Sequence, residues 1–231
     1  MMDRQLWIAL DAAGTLFEPA EPVARVYARC FAARGHAVAE GGWNHAFRTA
    51  FSKTPDPIYP APGAGEAVER EWWRTVVANA AEATGFDTDS GHFNGIFEEL
   101  FHHYAAGDAW KLFPETKGVL ESFRDEGVKM AVVSNFDSRL GRVLDELGIS
   151  SFFAHVLTSA DVGARKPDPA ILRKTLELTG ADPSGFCLAG DSETADGGAA
   201  NACGIAFFHI ARPTRDLTDF KKWHGSGFFR E

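Results

Sequence analysis

The sequence predicts an α/β protein, a doubly wound, Rossmann-like parallel sheet core with an inserted α-helical cap subdomain. Three observations carry this. Short, nearly all-apolar runs bounded by turn residues read as strands buried on both faces. After Pro114 these runs alternate with helical segments, as consecutive βαβ units do. The stretch between the first such run and the rest shows only helical texture, so a helical unit interrupts the sheet. With 231 residues, 45% of them apolar and 12% aromatic, the chain can bury one generous core plus a smaller appendage, whereas two full domains would be tight.

Leu6 to Leu10 reads as the first strand, ending at Asp11 and followed by Gly14-Thr15. Helical segments follow over 22–34, 42–52, 65–84 and 92–105, separated by Gly and Pro clusters such as Pro55-Asp-Pro-Ile-Tyr-Pro-Ala-Pro62, with no strand pattern between them. The alternation then runs helix 115–126, strand 128–133, helix 138–147, strand 154–158, helix 169–179, strand 186–190, helix 194–203 and strand 205–210. The economical organisation is a core of residues 1–17 and 109–231 with a helical cap over 18–108. The tail 211–231, which mixes Lys221-Lys222 with Trp223, Phe228 and Phe229, has no assignable structure from pattern alone.

Net charge is −9, so most of the surface repels phosphate backbones and anionic membranes. A nucleic-acid or membrane partner is not expected, and a small anion in a local basic pocket remains open. Cys30, Cys187 and Cys203 are scattered, with no CxxC pair, which speaks against a Cys-based zinc site and a disulfide framework. No signal-peptide core and no run of 18 apolar residues is present. The expectation is a cytoplasmic protein whose partner is a small phosphorylated metabolite.

Open parallel sheets bind ligands at the carboxyl ends of their strands. Polar residues gather there at four places: Asp11-Ala-Ala-Gly-Thr15, Ser134-Asn135, Arg165-Lys166-Pro-Asp-Pro169, and Gly190-Asp191-Ser192 with Asp196 beyond. Carboxylates, hydroxyls, an amide and an ammonium converging on one crevice match phosphoryl transfer, which needs a nucleophile, a divalent cation and groups that stabilise the equatorial oxygens. Asp11 is the candidate nucleophile and Lys166 the candidate neutralising cation. Thr15, Ser134, Asn135 and Lys166 are candidates for holding phosphoryl oxygens. An oxygen-only ligand set suits Mg²⁺ better than zinc. Singly, each motif is also ordinary helix-cap or turn chemistry; their joint order along the chain carries the reading.

These four segments, in this order, resemble the motifs of the haloacid dehalogenase superfamily of Asp-nucleophile hydrolases, with the helical insertion where its cap sits. Val132-Val-Ser-Asn-Phe-Asp-Ser-Arg-Leu140 and Glu71-Trp-Trp-Arg74 look like the branch typified by the haloacid-dehalogenase-like domain-containing protein 3 and rhythmically expressed gene 2 proteins. The resemblance implies that Mg²⁺ is held by Asp11, the main-chain carbonyl of Ala13 and Asp191, with Ser192 and Asp196 behind them. It also exposes a departure. Phosphatases of the family carry a second Asp two residues after the nucleophile as general acid, and here that position is Ala13. General acid–base catalysis is worth about 10²–10⁴ in rate, so alkyl phosphates should suffer. Acyl phosphates, aryl phosphates and anhydrides, whose leaving groups depart without a proton, need not. Glu18, His102 and His103 are possible replacement acids from the cap.

Two rivals follow. Ala13 also fits a non-catalytic phosphate- and metal-binding or interaction protein. The Asp-x-Ala-Gly-Thr pattern resembles phosphonoacetaldehyde hydrolases, whose cap lysine forms a Schiff base; Lys53 is the lysine available for carbon–phosphorus cleavage. The true 2-haloacid dehalogenases match less well, because Asp191 stands where they have a neutral residue and Leu172 where they place a tyrosine. Trp72-Trp73 reads as cap core rather than a substrate platform. Adjacent His102 and His103 point to different helix faces and do not chelate, and Cys187 and Cys203 read as inert core thiols.

Overall fold

The structure is a computed structural model that describes residues 6–60 and 64–227. Its centre is a five-stranded, all-parallel sheet built from β1 (Trp7–Leu10), β4 (Lys129–Ser134), β5 (His155–Thr158), β6 (Phe186–Gly190) and β7 (Ala206–His209), in the order β5-β4-β1-β6-β7. The chain winds from β1 through β4 to β5 on one side, then returns to lay β6 and β7 on the other. The winding therefore reverses at β1 and β6, where a crevice opens at the carboxyl ends of such strands.

Both faces of the sheet are buried, which explains the continuous apolar runs. Alternate side chains of β1 go to opposite sides. Ile8 and Leu10 join Met130, Val132 and Phe123 in one core, while Trp7 and Ala9 join Val133, Leu188 and Leu172 in the other. The flanking helices are α5 (Thr116–Asp125), α6 (Arg139–Glu146), α7 (Ser159–Val162), α8 (Ala170–Thr179) and α9 (Gly198–Ala202). The start of the helix expected over 194–203 is wound as a π-turn over Glu193–Gly197.

Between β1 and α5 lie α1 (Val23–Ala32), α2 (Glu40–Lys53), α3 (Gly65–Ala83) and α4 (Phe93–His103), close to their expected positions. They share a core of their own, with Phe31, Trp43, Val76 and Ile96 fully buried.

Two strands were not expected. β2 (Phe17–Pro19) and β3 (Trp110–Leu112) form an antiparallel pair, Phe17 opposite Leu112, where the chain enters and leaves the helical stretch. Three residues hold too little alternation to register as a strand. The pair is made by tertiary contact, with Phe17 edge-on to Trp110 at 5.1 Å between centroids and Glu18 paired with Lys111 at 3.0 Å.

The tail also acquires structure. Helix α10 (Leu217–Gly225) starts at Asp216, whose carboxylate accepts from Thr218 and Asp219 N–H groups, and it buries Leu217 and Phe220. Phe220 packs against Phe123 and Phe208. Phe228 and Phe229 lie outside the described residues. Among the described residues no helix is long and apolar enough to cross a membrane.

Candidate active site

Strand β1 delivers Asp11 to the crevice. The Asp11 N–H continues the ladder to the Ala189 carbonyl at 2.9 Å, after which Leu16 N–H turns back to Ala12 O at 2.8 Å and closes a tight loop. Gly14 occupies φ +88°, and a Cβ there would stand 2.3 Å from Asp191 Oδ2, so the loop backbone comes close beneath that carboxylate. At the end of β6 the same holds for Gly190, where a Cβ would lie 2.3 Å from Asp196 Oδ2. The two glycines let Asp191 and Asp196 crowd against the strand ends.

Lys166 ties the carboxylates together. Its Nζ donates to Asp11 Oδ1 at 2.7 Å, Asp196 Oδ1 at 2.5 Å and the Val133 carbonyl at 2.7 Å, spending all three ammonium donors. Burial works against the Lys166 charge, but Asp11 and Asp196 outweigh it and hold its pKa above the ordinary value. Burial pushes Asp11 up to about 6; Lys166 opposes the rise, while Asp196 and Asp191 add to it. Asp191 is also raised, by burial and then by Asp196. The second oxygen of Asp196 accepts from the Ser192 N–H at 3.0 Å, so both its oxygens are engaged. Ser192 in turn caps the π-turn through Ala195 N–H.

The crevice is a polar cleft of about 820 Å³. Asp11, Ala13, Ser134, Lys166, Asp191 and Asp196 form its floor, and Lys53, Asp56 and Trp73 line it from the helical stretch. Ala13 and Asp191 also border an adjoining apolar chamber of about 300 Å³. Asp11, Asp191 and Asp196 each offer an oxygen within 4.8 Å of the others, the one such acidic cluster among the described residues. A purely oxygen donor set on a floor that already crowds three carboxylates around a single ammonium fits a hard divalent cation such as Mg²⁺ and not zinc.

Two expected phosphate contacts have particular surroundings. Asn135 lines the cleft, and its amide also clamps the lysine loop, accepting from the Lys166 N–H and donating one N–H to the Lys166 carbonyl at 2.8 Å each, which leaves its second N–H. Thr15 is fully buried, its hydroxyl has no partner among the described residues, and it lies outside the cleft wall. The expected replacement acids are not part of this cleft's wall: Glu18 is paired with Lys111 and lines a neighbouring pocket with Gly14 and Asp191, His102 bonds the Glu98 carbonyl, and His103 packs on Tyr104. Sequence position alone does not tell which way a cap side chain faces.

Trp72 is buried, donating to the Pro55 carbonyl at 2.9 Å. Trp73 packs against the same helical core, and Trp72 and Trp73 both border the cleft, Trp73 the apolar chamber as well. Cys187 is buried, burial raising its pKa, and Leu172 is part of the sheet core. Two charged residues escaped sequence reasoning. Arg165 stacks its guanidinium 3.9 Å over Trp72, pairs with Asp56 at 3.4 Å and borders the cleft. It stands beside Lys166 in the same motif, and that adjacency was the available signal. Arg139 is held by Asp137 at 2.7 and 2.8 Å and lies 3.7 Å over the Phe101 ring, joining α6 to α4. Nothing local in the sequence foretells that contact.

A family model described as haloacid dehalogenase-like hydrolase matches residues 7–204. The mouse haloacid dehalogenase-like hydrolase domain-containing protein 3 is 32% identical over 202 residues, covering 87% of this chain and 80% of the mouse protein. The Drosophila melanogaster rhythmically expressed gene 2 protein is 27% identical over 142 residues, covering 58% of this chain and 55% of its own. Among solved structures, the HAD-hydrolase YfnB of Bacillus subtilis, described as bound to magnesium, superimposes with a TM-score of 0.73 at 14% identity, over 96% of this chain and 100% of YfnB. With the match spanning both strands that carry its carboxylates, the chain belongs to the haloacid dehalogenase-like hydrolase family.

Proposed function

We propose that the protein is a Mg²⁺-dependent phosphohydrolase of small phosphorylated metabolites, working through an aspartyl-phosphate on Asp11, with residues 18–108 serving as the cap over the core formed by 1–17 and 109–231. The observation that carries this reading is the Lys166 ammonium held between Asp11 and Asp196 at the strand ends, with Asp191 alongside. Asp11, Asp191 and the Ala13 carbonyl would hold the cation, which supplies neutralisation of substrate charge when bound.

This chain's residues then divide the work. An Asp11 carboxylate oxygen attacks phosphorus, the bond to the leaving oxygen breaks, and that oxygen departs with the electron pair. Ser134 faces the phosphoryl oxygens, Lys166 offsets their charge from beside Asp11, and Asp196 positions Lys166. Water then attacks the phosphoryl group, restoring the carboxylate, and its proton neutralises the departed oxyanion. Ala13 donates no proton, and among the described residues the cleft wall holds no histidine and one carboxylate beyond the floor, Asp56, which Arg165 pairs. The reading therefore favours leaving groups that depart unprotonated.

The test is a panel of acyl, aryl and alkyl phosphates with and without Mg²⁺, run beside Asp11→Asn. Mg²⁺-dependent turnover abolished by Asp11→Asn supports the reading. A natural protein that turns over nothing, while Ala13→Asp becomes active, would establish the binding-protein alternative instead. A second reading has one observation in its favour: Lys53 lines the cleft from the end of α2. Borohydride reduction with phosphonoacetaldehyde should label Lys53 if it forms a Schiff base, and an unlabelled lysine ends carbon–phosphorus cleavage.

A further inference from the structure

We infer that the preferred substrates are aryl phosphates whose uncharged, fused-ring leaving group sits in the apolar chamber beside Ala13; this rests on the phosphohydrolase reading above. The chamber of about 300 Å³ shares Ala13, Trp73, Phe136 and Asp191 with the cleft that holds Asp11, so a phosphoryl group at Asp11 would project its ester oxygen toward it. Its wall is dominated by aromatic rings, among them Tyr27, Phe47, Trp73, Phe97, Tyr104 and Trp110. Protein interiors close around their side chains and leave few voids larger than a water. An aromatic chamber that shares Ala13 and Asp191 with the cleft holding Asp11 is therefore a receptor for a ligand group and not a packing remnant.

Charge narrows the class. The charged residues on this wall are Arg139 and Asp191. Arg139 is already neutralised by two bonds from Asp137. Asp191 faces the acidic cluster. Burial raises the Tyr27 and Tyr104 hydroxyls well above their ordinary values, so both stay neutral. Among the described residues this wall offers the neutral Tyr104 hydroxyl but no free opposite charge for a charged leaving group, and desolvating an unpaired charge is costly. Size narrows it further: benzene fills an apolar cavity of about 150 Å³, so the chamber has room for two fused rings. The chemistry agrees, because a phenolate-type oxygen leaves without the proton that Ala13 cannot supply.

The test measures kcat/KM of the natural protein with Mg²⁺ on acetyl, phenyl, 2-naphthyl and 4-carboxyphenyl phosphates. The two neutral aryl esters have leaving groups of similar acidity, so burial of the second ring separates them, and about a tenfold advantage for 2-naphthyl is expected. The carboxyphenyl ester should fall at least tenfold below phenyl, although its leaving group is the better one. In Val77→Phe, which narrows the chamber, the naphthyl-to-phenyl ratio should drop toward one. Equal rates on phenyl and naphthyl esters, or a carboxyphenyl ester as good as phenyl, would overturn the inference while Asp11-dependent acetyl phosphate hydrolysis leaves the phosphohydrolase reading standing. No turnover of any ester, acetyl phosphate included, would remove both.

Discussion

Asp11→Asn should stabilise the metal-free protein at alkaline pH, and the effect should fade as pH falls. Asp11 is 7% exposed and its pKa rises from 3.8 to about 6 even with Lys166 bonded to it. The folded state therefore binds this proton more tightly than the unfolded chain does. The stabilisation from the protonated form is complete below pH 3.8 and is lost as pH rises through about 6, so above that the ionised carboxylate costs stability. At ~1.36 kcal/mol per tenfold, the cost at pH 8 is on the order of 3 kcal/mol, and at pH 5 about half of that. The Asn carbonyl can still accept from Lys166, whose charge keeps Asp196 and the Val133 carbonyl. Urea unfolding of EDTA-treated protein at pH 8 and pH 5 reads the difference as a rise in midpoint at unchanged slope. A variant that is no more stable than the natural protein at pH 8, or equally stabilised at both pH values, would refute the electrostatic reasoning.

Further outcomes are expected. Ala13→Asp should raise turnover of alkyl phosphates by about 10²–10⁴ while changing aryl phosphate turnover far less, measured as kcat on matched esters. Lys166→Met should abolish turnover and lower the thermal midpoint at pH 8, because it leaves Asp11 and Asp196 buried together without their cation; an unchanged midpoint would contradict the bridging role. Adding Mg²⁺ should raise the melting temperature of the natural protein in a concentration-dependent way and raise that of Asp191→Ala much less. Phe220→Ala, which opens the contact among α10, Phe123 and Phe208, should cost about 3–5 kcal/mol in chemical unfolding. If α10 merely lay on the surface, the loss would be a small fraction of that.

Much of the fold was legible because its signals are local. The strands are buried on both faces, so Trp7-Ile-Ala-Leu10 and Phe186-Cys-Leu-Ala-Gly190 stand out as apolar runs, and the helices between them carry their own stops. What escaped was made by long-range pairing. Strands β2 and β3 are three residues each and exist because Phe17 meets Leu112 across the whole helical stretch. Helix α10 is held by Phe220 against partners on α5 and β7. The candidate site residues were legible for a related reason: Asp11, Ser134 and Asp191 stand where a parallel strand ends, which is where such sheets present ligands, and Lys166 follows β5 after the short α7.

Which polar atoms are free is another matter. Asn135 lines the cleft but also ties down the Lys166 backbone, and the Thr15 hydroxyl is buried with no partner among the described residues. Glu18, His102 and His103 sit in the right segments but do not line the cleft, while Trp72 and Trp73 do. The sequence by itself determined the sheet, the family and the chemical kinds of group at the strand ends, because each is encoded in short windows of apolar runs and motif residues. Only the tertiary structure decided which way each side chain points and what borders Ala13, because a side chain's direction depends on packing between α1 to α4 and the sheet, and no local window contains both partners.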